Sequence, residues 1–386
     1  MGLQVPHILG QNQRFATKFE STPGTYNPPA NTDFIKVLSS DFAVKREQEA
    51  RDDANEGLDP YEMITMRGDL TATVERYFTP AAAGTSPQEA VLLQSLLCGV
   101  PATTPSTSVA FSLLNADPAL NRRALTIQRY FNADDVFWSQ ALTGFVVNEG
   151  KFSGSGTEKP KMSFTGKAMG LIEAGYTTTS GTGTSTSTLT LATGSGRYFD
   201  VGARINVGAD TNLAVSAQAA SGLTLGSTIS FADAEVVAPY CPTPSITAGA
   251  VVGLTGGSFS YGGTAYSVQA WEINVSRNMA FTEDEYGSTY MTDASRGQRV
   301  ISGKVSVKAS RTLTNDLIRR GQFSDLAISI NVGATSGRYV NISLPQVRPM
   351  IDKLNVSNSG VGTFDIPFVA LASTEGAVDA MTITYY

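Results

Sequence analysis

Few side chains in this sequence stand where chemistry could be done. Two acidic groups have the right type for a hard cation, which takes carboxylate oxygens. They are Asp52-Asp53 with Glu56, and Glu283-Asp284-Glu285. Both lie in charged stretches, and solvated loop charge is the expectation for each. The single histidine, His7, sits among glycines and prolines, which does not suit a triad or a metal centre. No GxSxG, HExxH, Walker-type or EF-hand pattern is present. Gly253–Gly263 is rich in glycine but lacks the strand–loop–helix setting of a phosphate cradle, so it reads as turns. Cys98 and Cys241 show no CxxC spacing and are expected to be reduced and structural. Trp138 and Trp271 are expected in a core or an interface rather than as ligand platforms. No catalytic, cofactor-binding or metal residue is assigned, no cofactor is expected, and the chain does not read as an enzyme.

Composition narrows the remaining classes. The chain has 386 residues, 41% hydrophobic and 16% charged, with a formal net charge of −6. It is long enough for more than one domain and apolar enough to build a core. Abundant Gly, Ser and Thr with few helical runs predict a mostly β fold. An acidic balance disfavours tight nucleic-acid binding, which needs clustered Lys and Arg. It suits a surface that nucleic acid passes without sticking. Met1–His7 lacks the basic region and apolar run of an export signal, and no run of about 18 apolar residues spans a membrane.

The elements that would position any site occur twice. Gly68–Glu75 alternates polar and apolar residues, and Gly303–Ala309 does the same. Strict alternation marks a half-buried strand. A helix is predicted after each. Ser86-Pro87-Gln88-Glu89 forms a capping box ahead of Ala90–Leu97, with Gly99 as the stop. Thr314 caps Asn315–Arg320, with Gly321 as the stop. Spacings agree as well. Phe34 to Gly68 is 34 residues and Val268 to Gly303 is 35. Phe145 to Phe164 is 19 residues and Met350 to Phe368 is 18, each spanning a closing hairpin. The order strand, charged loop, strand, helix, strand, hairpin is kept, so a structural duplication is expected.

The layout that follows has five parts. Residues 1–30 are an extended arm broken by Pro6, Pro23, Pro28 and Pro29. The arm is either a disordered terminus or a segment ordered against a neighbouring subunit, with Phe15, Phe19 and Tyr26 to bury. Residues 31–176 form the first β domain, with a charged loop at Lys45–Asp53. Residues 177–187 are a Gly/Ser/Thr linker. Residues 188–244 are an inserted small β module. Residues 245–386 form the second β domain.

The second copy resembles the tail tube proteins, or major tail proteins, of long-tailed, siphovirus-like bacteriophages. Val268–Val275, Arg296–Val307, the helix at Asn315, Asn341–Pro345 and Ala380–Tyr386 carry the likeness. It covers about residues 31–172 and 264–386, and the insert resembles the small β modules such proteins carry. The resemblance implies two tandem β-sandwich or partial-barrel domains, each with a flanking helix, and no catalytic residues. It implies a virion protein, made in the host cytoplasm, whose stacked rings form a conduit for DNA. The implied partners are further copies, tail terminator, tape measure and distal tail proteins, and double-stranded DNA in transit, with no membrane. Two other classes stay open: another virion structural protein (terminator, baseplate ring, capsid decoration), or a secreted carbohydrate-binding or adhesion module.

A DNA conduit should have a neutral or negative wall, because a basic one would hold phosphates. The candidate wall residues are Asp69, Thr71, Thr73, Glu75, Lys304, Ser306 and Lys308, on the polar face of the repeated strands. Aligned on Gly68 and Gly303, Asp69 corresponds to Lys304 and Thr73 to Lys308. Two units per chain predict a homotrimeric ring of pseudo-six-fold appearance. The insert is expected to project outside the tube.

Overall fold

The computed structural model describes residues 12–50, 63–114, 123–132, 136–246, 251–252, 257–283, 285–310, 312–313, 325–333, 338–350, 353–355 and 362–386. The fold is mostly β. In chain order the strands begin with β1 (Gln13–Phe19), β2 (Phe34–Ile35), β3 (Ser39–Ala50) and β4 (Met63–Tyr77). Helix α1 (Ala90–Leu97) follows, then β5 (Ala102–Thr104), β6 (Ser108–Ser112), β7 (Leu125–Phe131), β8 (Trp138–Ser155), β9 (Lys161–Lys167) and β10 (Gly170–Ala174). Next are β11 (Thr177–Thr178), β12 (Gly183–Thr190), β13 (Arg204–Val207), β14 (Asp210–Ala219), β15 (Gly222–Phe231) and β16 (Val236–Pro239). The remainder comprises β17 (Ser258–Tyr261), β18 (Thr264–Tyr266), β19 (Val268–Ser276), β20 (Ala280–Thr282), β21 (Asp293–Ser295) and β22 (Val300–Lys308). Last come β23 (Leu326–Val332), β24 (Val340–Pro349), β25 (Lys353–Asn355), β26 (Thr363–Leu371) and β27 (Thr382–Tyr385).

Two units divide these elements. One takes Met1–Lys36, Ala124–Phe145 and Ala168–Ile246; the other takes Val37–Arg123, Val146–Lys167 and Thr247–Tyr386. In the first unit the antiparallel order is β2–β1–β7–β8–β10, using the first half of β8. Phe15 and Ala16 of β1 are buried there. Gln13–Phe19 is therefore a paired strand of its own chain, where an arm was expected. Its register against β7 runs without a break, because Gln13–Phe19 contains no proline or glycine.

The insert also lies in this unit, as a six-stranded sheet in the order β11–β16–β13–β14–β15–β12. A bridge between Thr179 and Leu191 brings the two ends together. Leu189, Phe199, Ile205, Val215, Leu223 and Val237 fill its core. The stretch 177–187, expected as a linker, supplies β11 and much of β12. Composition alone misleads here: Thr is a good strand residue, and its neighbours bury Leu189.

The second unit carries the duplication. Its main sheet runs β3–β4–β9–β8–β19–β22–β26, using the second half of β8. β26 then pairs with β25 and with Gln346–Pro349 of β24. β24 also pairs with β23 from Val340 to Val347, and its first half pairs with β27, which continues to β6 and β5. The sheet is thereby curled and partly closed on its apolar side. The glycine-rich segment is a turn where it is described: Gly262 and Gly263, both at positive φ, join β17 to β18.

The strand order recurs along the sheet, β3–β4–β9–β8 and then β19–β22–β26–β24, and laying Phe164 on Phe368 gives the two runs a common register. In the first half Val74 lies between Ser40 and Phe164; in the second Gly303 lies between Ile273 and Phe368. Likewise Phe42–Ala72–Gly166 matches Val275–Ile301–Ala370. With Phe164 laid on Phe368, Gly303 falls on Val74 rather than on Gly68, and Lys304 on Glu75 rather than on Asp69. The slip is an even number of residues, so every side chain keeps its face. An alternating strand fixes parity and leaves register to be set by its neighbours. Gly303 is required for close packing, since a Cβ there would come within 2.3 Å of the Phe368 ring and 2.5 Å of the Glu272 carbonyl oxygen.

Helix α1 packs on the apolar face, with Leu92, Leu93, Leu96 and Leu97 fully buried. Leu96 lies over Gly150, where a Cβ would come within 2.2 Å of it. The expected capping box does not form. Glu89 makes no side-chain cap and instead meets Arg76 at 2.9 Å, both buried. The helix ends at Cys98, itself in the left-handed region at φ 65°, one residue before the predicted glycine. The charged loop expected from Lys45 is strand as far as Ala50, while residues 51–53 and Glu56 lie outside the described residues. The predicted helix at Asn315–Arg320 also lies outside them.

Candidate functional site

The polar face of the main sheet brings the seven candidate residues together. Asp69, Thr71, Thr73 and Glu75 share one face of β4; Ser306 and Lys308 share it with Lys304 on β22. Leu70, Ala72 and Val74 point the other way, into the core.

Each candidate has a neighbour across the strands. Asp69 takes an ion pair from Lys167 at 3.1 Å, and Lys167 reaches Glu283 at 2.7 Å. Thr71 stands opposite Lys167. The Thr73 and Thr165 hydroxyls are 3.1 Å apart. Glu75 accepts from Ser39 at 3.4 Å. Lys304 pairs with Asp365 at 3.0 Å, and Ser306 donates to the same carboxylate. Lys308 stands opposite Thr363 at the end of its strand pair.

Three members of this face were not singled out from sequence: Lys151, Glu272 and Asp365. They complete a row of alternating sign, Lys151–Glu272–Lys304–Asp365, across four strands. The alternation of Glu149–Ser155 and Val268–Ser276 carried the signal for the first two. A groove of about 470 Å3 crosses the row, lined by Glu75, Lys151, Lys161, Trp271, Glu272 and Lys304.

The electrostatics are those of paired surface charge. A hydrogen bond from Lys151, then one from Asn274, holds the Glu272 carboxyl below its usual value. The Ser306 hydroxyl, then Lys304, does the same for Asp365. Burial would lower the Lys167 ammonium, but its bonds to Glu283 and Asp69 outweigh that and raise it. Lys45, Lys151, Lys161, Lys167, Lys304 and Lys308 share the face with Asp41, Asp69, Glu75, Glu149, Glu272 and Asp365. These opposite charges balance.

What this face can do chemically is limited and definite. Lys151, Lys167 and Lys304 are each held by a carboxylate of the same surface, so the face presents hydrated charge of both signs. Glu283, one of the three acidic residues of the second suggested cation group, is bound to Lys167. Among the described residues no group of three or more His, Cys, Asp or Glu could hold a metal. Neither Cys98 nor Cys241 is in a disulfide. Trp138 stacks on Phe131 at 4.5 Å, and Trp271 covers Gly154 beside Phe78, so both indoles are spent on packing.

A second polar feature missed from sequence lies under the sheet. Arg277, 2% exposed, donates to the carbonyls of Ser95 at 2.9 Å and Val147 at 3.0 Å. It ties the end of β19 to α1 and β8.

No protein-family model matches the chain, and no curated protein matches it.

Proposed function

We propose that the chain is a structural protein of a bacteriophage tail, which self-assembles into stacked rings forming the tube through which DNA leaves. The observation that carries this reading is the continuous sheet of the second unit. Two equivalent halves lie side by side in one chain, joined edge to edge by β8 and β19. A chain that repeats an arc, and whose β3 pairs only with β4 among the described residues, is suited to continue the arc with copies of itself.

The polar face supports the conduit part of the reading. Its balanced charges would let a phosphate backbone pass without capture, since retention needs an excess of unpaired Lys and Arg. On this reading the seven candidates, with Lys151, Glu272 and Asp365, line the lumen. Three chains supply six arcs, so the ring is a trimer with pseudo-six-fold appearance. Terminator, tape measure and distal tail proteins would meet the ends and interior of such a tube, and the protein would reside in the virion.

Electron microscopy of the purified full-length chain tests the class. Hollow rings or tubes are expected. A monodisperse monomer at high concentration would contradict the proposal.

A further inference from the structure

The loop that joins β20 to β21 is fastened to β4 where β9 stops. β9 leaves β4 at the pair of Thr71 with Lys167, so Gly68, further along β4, has no β9 residue beside it. There the Gly68 amide donates to the Thr289 carbonyl at 2.8 Å, and a Cβ at position 68 would come within 2.5 Å of the Tyr290 ring. At the next residue Asp69 meets Lys167 at 3.1 Å, and Lys167 reaches Glu283 at 2.7 Å, with the Phe281 ring 5.6 Å from the ammonium. Gly68 shares the parity of the buried Leu70 and Ala72, so Tyr290 lies on the apolar face while Glu283 lies on the polar one. The loop therefore grips the edge of β4 from both faces, and every residue of the grip belongs to the second unit.

The grip is built unevenly. Among the described residues β20 and β21 pair only with each other, so the loop takes no strand from the main sheet. Its base is firm: the Thr292 amide donates to the Thr282 carbonyl at 3.0 Å, and Met291 and Ala294 are buried. Tyr286 at its tip is fully exposed. Between base and tip the hold is a backbone bond, a ring on a glycine, and Lys167 standing between two carboxylates. Without that lysine Asp69 and Glu283 would face each other as like charges. Lys167, Asp69 and Glu283 are 27%, 44% and 38% exposed, so added salt screens them. The matching place in the second half is apolar: with Phe164 laid on Phe368, Leu371 stands for Lys167 and Val300 for Thr71. An acidic loop is thus suited to the first half and not to the second.

We propose that this loop is a strap that covers the edge of β4 beyond β9, held closed by Lys167 and released by salt. An uncovered strand edge is a template for pairing with another strand, and covering it with a loop is one way to blunt it. Closed, the strap satisfies the Gly68 amide and shelters the Tyr290 ring. Open, it swings on Thr282 and Thr292 and leaves a short bare edge of β4. Ionic strength then decides whether that edge can be paired. The strap works within one chain, so it stands apart from the tube reading.

Hydrogen exchange of the full chain, resolved to single amides, tests it in 0.1 M and 1 M sodium chloride. The Gly68 amide should exchange about three- to ten-fold faster at high salt, the scale set by two half-exposed ion pairs. The amides of Ala72 and Val74, each paired with both β3 and β9, should not change, which separates opening of the strap from general loosening. Lys167→Met should give a gain of that size at low salt and abolish the response to added salt. Glu283→Gln should give a smaller gain, because it removes the attraction without leaving two carboxylates opposed. Lys167→Arg should keep the strap closed, and adding Asp69→Asn to Lys167→Met should recover part of the protection. Should Lys167→Met fail to fold, Glu283→Gln and the unaltered chain in salt decide the matter. Exchange at Gly68 that ignores both salt and Glu283→Gln would overturn the proposal, and so would an equal change at Ala72 and Val74.

Discussion

Lys151 Nζ lies 2.8 Å from Glu272 Oε2, across the strand pair that joins the two equivalent halves. Both side chains keep much of their contact with water, at 50% and 39% exposure. Solvent screening reduces such a pair to about 0.2–1 kcal/mol. The position of the pair, not its strength, makes it informative, because it marks where one arc ends and the next begins.

Glu272→Gln is therefore expected to cost less than about 1 kcal/mol near neutral pH. The pH dependence has a definite sign. Lys151 holds the folded-state pKa of Glu272 below the unfolded value of 4.5. Its contribution is present above that value and is lost as pH falls through the folded pKa. Denaturant unfolding of both proteins at several pH values should show a gap that closes in acid.

The buried pair behaves differently. Arg76 and Glu89 are 1% and 0% exposed at 2.9 Å, and Glu89 also accepts from the Thr79 amide and hydroxyl. Arg76→Met alone should destabilise the second unit by about 3–5 kcal/mol, since it leaves a carboxylate buried without its partner. Adding Glu89→Met should recover much of that loss. Thermal melts of the single and double variants provide the comparison, and a double variant no better than the single would argue against an uncompensated charge.

The insert should be dispensable for the main sheet. Thr177 pairs with Val237, so the module leaves and re-enters at adjacent points. Its core is its own apart from Ala174 and Ile172. Replacing residues 177–237 with a short Gly/Ser turn closes a gap of about 5 Å and costs little loop entropy. Hydrogen exchange of β4, β9, β19 and β22 should be unchanged in the shortened chain. Faster exchange throughout those strands would show that the module supports the fold.

The sequence made periodicity legible and left register hidden. Alternation at Asp69–Glu75 and Lys304–Lys308 put all seven candidates on one polar face of the sheet, because parity is fixed by the apolar positions that must be buried. The match of Glu75 to Lys304 was not legible, since any even slip satisfies the same parity and only Phe164 and Phe368 in the neighbouring strands decide it. The linker at 177–187 misled because Gly, Ser and Thr are common in short strands as well as in coils. Glu89 misled because a glutamate near a helix start has a local partner by rule, whereas here a distant arginine competes for it. Such tertiary partners have no signature in a single sequence.

Mass per length tests the central claim most directly. Scanning transmission electron microscopy gives the mass per unit length of assembled tubes, and diffraction from the same tubes gives their axial repeat. Multiplied together they give the mass of each ring, and division by the chain mass gives the number of chains in it. The account predicts three chains of 40.7 kDa per ring, presenting six arcs. Six chains per ring would contradict it, because twelve arcs would leave the internal joint with no role as the repeat of the ring.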